Sequence, residues 1–188
     1  MNGTLAEKAM RLSRNAFAVA LTCAFLGGGD ALASSLGGDT SLAGKPCPEI
    51  QGKDFVGAEI HIPARSRGKV EVVNFWGIRC GSCLEEMPKL DDINRKWRDR
   101  GLSVYGVNVD GAGADALIGI MKKMGLSVSY RLLPDTEFTI MDAFRVTATP
   151  LTLVIDDGGL VAYQHEGYAE GDEKEIESRI EKLLGAAK

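Results

Sequence analysis

Two cysteines separated by two residues, Cys80-Gly81-Ser82-Cys83, sit where an extended apolar segment gives way to a helical one, and this constrains the chain more than any other feature. Residues 69–76 (KVEVVNFW) end in a continuous apolar run, which reads as a central strand. Beyond the cysteines, Met87, Leu90, Ile93 and Trp97 recur at helical spacing through about Arg98, and Gly101 closes that helix. The two thiols therefore bracket the first turn of a helix, a spacing at which both sulfurs can approach and close a small ring.

The rest of the chain supplies a domain around this junction. Residues 58–62 alternate as a half-buried strand does, and 102–109 (LSVYGVNV) read as another strand. A helix over 114–124 is stopped by Gly125, 130–133 form a short extended piece, and 136–144 form one more short helix. Thr149-Pro150 leads into 151–155 (LTLVI), and Asp157-Gly158-Gly159 turns the chain into a strand over 160–165, making a hairpin. The last helix, 172–184, places Ile176, Ile180, Leu183 and Leu184 on one face. This order predicts an α/β domain with one mixed sheet covered by helices on both faces.

The first residues belong to a different argument. Lys8, Arg11 and Arg14 precede an apolar run over 16–26, and Ala31 and Ala33 give a small-x-small pattern, so 1–33 reads as a signal peptide. An uncleaved anchor or a lipid on Cys23 are the rival readings. The Gly/Ser/Ala-rich residues 34–44 read as a flexible leader, and 45–188 as the folded domain. The 188-residue chain carries 22 basic and 26 acidic residues, and removal of 1–33 leaves a net charge of about −5, which argues against nucleic acid as partner.

Export bears on the cysteines, because no glutathione pool holds thiols reduced outside the cytoplasm. Cys23 leaves with the signal peptide, and Cys47, Cys80 and Cys83 cannot all pair within one chain. Cys80 sits where unsatisfied backbone N–H groups and the helix dipole favour an anion, so its thiol should ionise more readily than a free one, helped by Arg79 if that side chain points its way. Such a thiolate attacks a disulfide, and the second cysteine, Cys83, resolves the mixed disulfide. A zinc site needs a second ligand pair, and only Cys47, His61 and His165 remain, isolated from one another in sequence. No metal and no cofactor is expected, although a static disulfide remains a rival.

The segment VVNFWGIRCGSCLEEMP resembles the active-site segment of thioredoxin-like proteins, and in particular of the exported TlpA/ResA-type reductases. The resemblance extends over roughly residues 44–188. It implies a thioredoxin fold with an added N-terminal β-hairpin and a strand-helix insertion, Pro150 at the family's cis-proline position, and a reductase fed electrons across the membrane. Arg79 departs from the pattern, since relatives often carry an aromatic or small polar residue there.

Glu86, three residues after Cys83, shares its helix face, whereas Glu85 projects roughly opposite. A carboxylate held against an apolar stripe has a raised pKa and can shuttle the proton of Cys83, and the resembling reductases carry an acid at this offset. The bland reading is an acid that complements the helix dipole. Asn74 stands where thioredoxins proper keep a buried aspartate, or simply satisfies backbone groups. A cis Pro150 presents the Thr149 backbone beside Cys80 for an extended client, and a trans one merely opens a strand. Pro88 should kink its helix. Trp76 is either core or a lid on the disulfide, with partial exposure next to Cys80 expected, Cys47 is expected to be a small buried apolar side chain or else a third reactive thiol, and His61 and His165 to be solvated.

The function these features imply is reduction of protein disulfides outside the cytoplasm, in the periplasm or an equivalent compartment, with apocytochrome c as an example of a client. The partners are disulfide-bearing clients and a thiol-transferring membrane electron donor, and the domain is expected to be a monomer. The Gly-Ser dipeptide lacks the histidine that stabilises the thiolate in oxidising relatives, which favours a reducing potential. A thiol peroxidase of the peroxiredoxin type would use a T-x-x-C pattern that is absent. A Sco-like copper module would need a three-residue cysteine spacer.

Overall fold

The structure, a computed structural model, describes residues 40–63 and 69–186. The expected signal peptide, 1–33, and the leader as far as 39 lie outside the described residues. In chain order the elements are β1 (Ile50–Lys53), β2 (Glu59–Ile62), β3 (Val70–Trp76), α1 (Gly81–Trp97), β4 (Leu102–Asn108), α2 (Ala114–Met124), β5 (Arg131–Pro134), α3 (Thr139–Ala143), β6 (Leu151–Ile155), β7 (Val161–Glu166) and α4 (Asp172–Ala186).

Every residue of β3 is buried, as in a strand at the centre of a sheet covered on both faces. The five-stranded sheet has the order β5-β4-β3-β6-β7, with β4 parallel to β3 and β6 antiparallel to it. On one face Val70 and Val72 pack with Met87 and Leu90 of α1 and with Ile176 and Ile180 of α4. On the other, Val73, Phe75 and Leu153 pack with Ile50, Ile60 and Ile62 of the β1–β2 hairpin and with Phe144, whose ring centre lies 5.1 Å from that of Phe75. The expected architecture, a central mixed sheet between helices with an N-terminal hairpin, is present.

Local chemistry sets the boundaries. The buried carboxylate of Asp54 accepts from the backbone N–H groups of Val56 and Ala58 and from Arg131 Nε at 2.8 Å, which closes the hairpin and clamps it to the sheet edge. Helix α1 runs unbroken through Pro88, followed by one 3-10 turn to Gly101, which takes the left-handed φ of 107° that glycine tolerates best. Helix α3 is shorter than the expected 136–144, because Phe138 adopts a left-handed φ of 57° and the Asp135 carboxylate instead receives the N–H groups of Ile140 and Met141. The last residues of the expected leader are part of the folded unit: Leu42 is buried, its N–H donates to Gln164 Oε1 at 2.8 Å, and Gly44 N–H donates to the Val161 carbonyl.

Trp76 corrects an expectation. It is fully buried rather than partly exposed, because Gly106 on the neighbouring β4 leaves room for the indole. A Cβ on Gly106 would lie 2.6 Å from Leu132 Cδ2 and 3.2 Å from both Trp76 Nε1 and Tyr130 Cε2. Gly106→Ala is therefore expected to lower the unfolding free energy by ~1–3 kcal/mol through overpacking, read from denaturant titrations; an unshifted midpoint would contradict this packing.

Candidate active site

The site forms where β3 ends and α1 begins. Residues 77–80 make the turn, with Cys80 N–H donating to the Gly77 carbonyl at 3.2 Å. Asp110, at the end of the neighbouring strand's loop, receives Ile78 N–H at 2.8 Å and Asn108 Nδ2 at 2.7 Å, which fixes the turn from the side. Cys80 is the N-cap of α1, in extended conformation, and its sulfur accepts from Cys83 N–H at 3.2 Å. That bond satisfies one of the amide donors left over at a helix start.

Cys80 and Cys83 are joined in a disulfide with Cα atoms 5.2 Å apart. The two sulfurs are not equivalent. Cys80 is half-buried, whereas Cys83 has no solvent exposure. Ser82 Oγ lies 3.6 Å from the Cys80 sulfur. The Thr149 carbonyl lies 3.5 Å from the same sulfur, and the Thr149–Pro150 peptide is cis, as is Ile62–Pro63. Gly167 N–H holds the Pro150 carbonyl at 2.8 Å, and the Thr149 side chain is half-buried.

One helical turn after Cys83, Glu86 is completely buried while Glu85 is exposed, as their helix phases require. Glu86 Oε2 accepts from Asn74 Nδ2 at 2.8 Å and Oε1 accepts from the Thr152 hydroxyl at 2.8 Å. The second hydrogen of Asn74 Nδ2 goes to Thr152 Oγ1 at 2.9 Å. Asn74 thus bonds to side chains and not to the backbone. Burial pushes the Glu86 carboxyl up to about 7, against the opposing pull of the Thr152 and Asn74 hydrogen bonds and of His165.

His165, expected to be solvated, is only 22% exposed, with Nε2 3.1 Å from Asp172 Oδ2. The reason is the start of α4, which brings an acid against β7. His61 is exposed. Cys47 is free and buried, its thiol donating to the Pro48 carbonyl at 3.3 Å, and burial, followed by the nearby Glu71, pushes that thiol up to about 12. It behaves as the small apolar side chain expected, far from the thiolate range. Trp76, buried under the sheet face, offers no surface to a client. Among the described residues no cluster of three or more His, Cys, Asp or Glu is placed to hold a metal ion, and no helix is long and apolar enough to cross a membrane.

Sequence reasoning missed Thr152, Asp110 and the His165–Asp172 pair. Thr152 left a signal: a polar residue within an apolar strand run needs a partner, as does Asn74 in β3.

Glu86 generates a stability prediction. The folded protein holds its proton up to about pH 7 and the unfolded chain releases it near 4.5, so between those values the folded state binds more protons and stability falls as pH rises. The full loss approaches about 3 kcal/mol. Unfolding of the oxidised protein at pH 4.5 and pH 8 should show it, and Glu86→Gln should flatten the difference. Equal slopes in the two proteins would disprove the buried titration.

The matching family model, the AhpC/TSA family, covers residues 43–164. The thiol-disulfide oxidoreductase ResA of Bacillus subtilis is 29% identical over 125 residues, 66% of this chain and 68% of that protein. Protein DipZ of Mycobacterium tuberculosis is 29% identical over 124 residues, which are 65% of this chain and only 18% of DipZ. Among solved structures, a thiol:disulfide interchange protein of the thioredoxin family from Chlorobium tepidum matches with a TM-score of 0.62 and 24% identity, covering 74% of this chain and 96% of that one. That likeness establishes the fold, and the match over more than half of its length makes this chain a member of the AhpC/TSA family.

Proposed function

We propose that this chain is an extracytoplasmic thiol-disulfide oxidoreductase that reduces disulfides in client proteins, apocytochrome c being one kind of client its chemistry suits. The observation that carries the reading is the asymmetry of the Cys80–Cys83 disulfide: one sulfur reachable at the head of a helix, the other buried on the same helix as a buried carboxyl group one turn on. Relatives named thiol-disulfide oxidoreductases support it over a peroxidase or a copper module.

The reaction follows from that arrangement. In the reduced protein the Cys80 thiolate attacks one sulfur of the client disulfide; a Cys80–client disulfide forms, and the client's other sulfur leaves as a thiolate and takes a proton. Cys83 then gives its proton to Glu86 and attacks Cys80, which restores the intramolecular disulfide and frees the second client thiolate. Two electrons pass from the dithiol to the client. A thiol-bearing membrane donor returns them by the reverse exchange. The backbone of Thr149, beside the Cys80 sulfur, offers hydrogen-bonding groups to an extended client segment. Export by the segment 1–33 places the exchange in the periplasm or an equivalent compartment, with the domain acting as a monomer.

Removal of the resolving sulfur tests these roles. A Cys83→Ala variant expressed in its exported form should accumulate mixed disulfides through Cys80, identifiable by mass spectrometry of the captured chains. Equal capture by Cys80→Ala would reverse the assignment, and no capture by either variant would refute exchange with proteins.

A further inference from the structure

His165 faces Thr152 in the antiparallel β6–β7 register, and cross-strand partners project to the same face of a sheet. That face carries α1 and α4, and on it the Thr152 hydroxyl donates to Glu86 Oε1 at 2.8 Å. The imidazole is therefore one strand away from a carboxyl group with no access to water. Its own surroundings are ordered. Nε2 lies 3.1 Å from Asp172 Oδ2, and Nδ1 lies 3.4 Å from the Tyr163 hydroxyl. Asp172 is fixed in turn by Ala169 N–H at 2.8 Å, which holds its carboxyl below the usual range.

Exposure falls from Asp172, at 35%, through His165, at 22%, to Thr152 and Glu86, which have none. We propose that His165, held in place by Asp172, is a positioning residue whose charge draws Glu86 toward its carboxylate form across the β6–β7 pair. A positive imidazole favours the Glu86 carboxylate.

The other titratable groups facing Glu86 do not compete for this role. Tyr130, from the segment before β5, is pushed well above the ordinary phenol range by burial, and Tyr168, from the loop before α4, is raised by burial and then by its bond to Glu173, so both stay neutral. Asp172 opposes His165 in its effect on Glu86, and of the two the influence of His165 is the larger. On Glu86's own helix, Cys83 is the redox partner already described.

The consequence for exchange rests on the proposed role of Glu86 as proton carrier; the coupling does not. Carbon-detected NMR of glutamate-labelled oxidised protein follows the Glu86 carboxyl directly, with Glu86→Gln to assign its signal. His165→Gln should move that titration upward by roughly 0.5–1 pH unit, the size of shift a charged neighbour produces in a partly buried site. In the second experiment, His165→Lys, which keeps a positive charge at this position, should bring the Glu86 titration back toward its native value. A histidine that merely ties β7 to α4 leaves the Glu86 titration unmoved in His165→Gln, and that result, or a titration displaced equally in both variants, overturns the coupling. The expected titrations together with an exchange rate whose pH profile ignores His165→Gln would leave the coupling standing and overturn Glu86 as the proton carrier.

Discussion

The hydrogen bonds among Asn74, Glu86 and Thr152 are the interaction on which the site depends. They join three elements, β3, α1 and β6, at a point with no solvent exposure. A buried carboxyl group is tolerated only where other groups replace its solvation, and here one amide and one hydroxyl do so. Asn74 occupies the middle of a fully buried strand, so its amide hydrogens have few other destinations. With the network in place, the first turns of α1 are pinned to the sheet and the disulfide is held at its edge.

Two further constraints act on that edge. The parallel arrangement of β3 and β4 requires a crossover between them, and α1 supplies it, so the helix starts where the central strand ends. The start of the helix leaves amide donors pointing at Cys80, and one of them is already bonded to its sulfur. The helix phase then turns Cys83 and Glu86 inward together, three residues apart. From these local facts comes the difference between the two sulfurs, and on that difference the proposed division of labour between attack and resolution rests.

Much of this was legible in the sequence because it is local. The strand-turn-helix junction, the glycine stops at Gly101 and Gly125, and the inward phase of Glu86 depend on neighbours within a few residues, and period and capping chemistry report them faithfully. The cis bond before Pro150 followed from resemblance rather than from pattern. What stayed hidden depends on strand register. Thr152 meets Asn74 across 78 residues of sequence, and His165 meets Thr152 only once β6 and β7 are aligned. Trp76 was misjudged because a run of consecutive apolar residues has no alternation to say which face is inward, and the space for its indole is made by a glycine on another strand. The first hairpin strand, Ile50–Lys53, had no period to show, being Ile-Gln-Gly-Lys.

One sulfur of the pair is reachable and its partner is not. Timed alkylation of the fully reduced protein, with each modified cysteine located by peptide mass spectrometry, tests this most directly. The structure predicts that Cys80 is labelled first and that Cys83, like Cys47, resists labelling until the protein is unfolded. Labelling of Cys83 as fast as Cys80 in the native protein would contradict it.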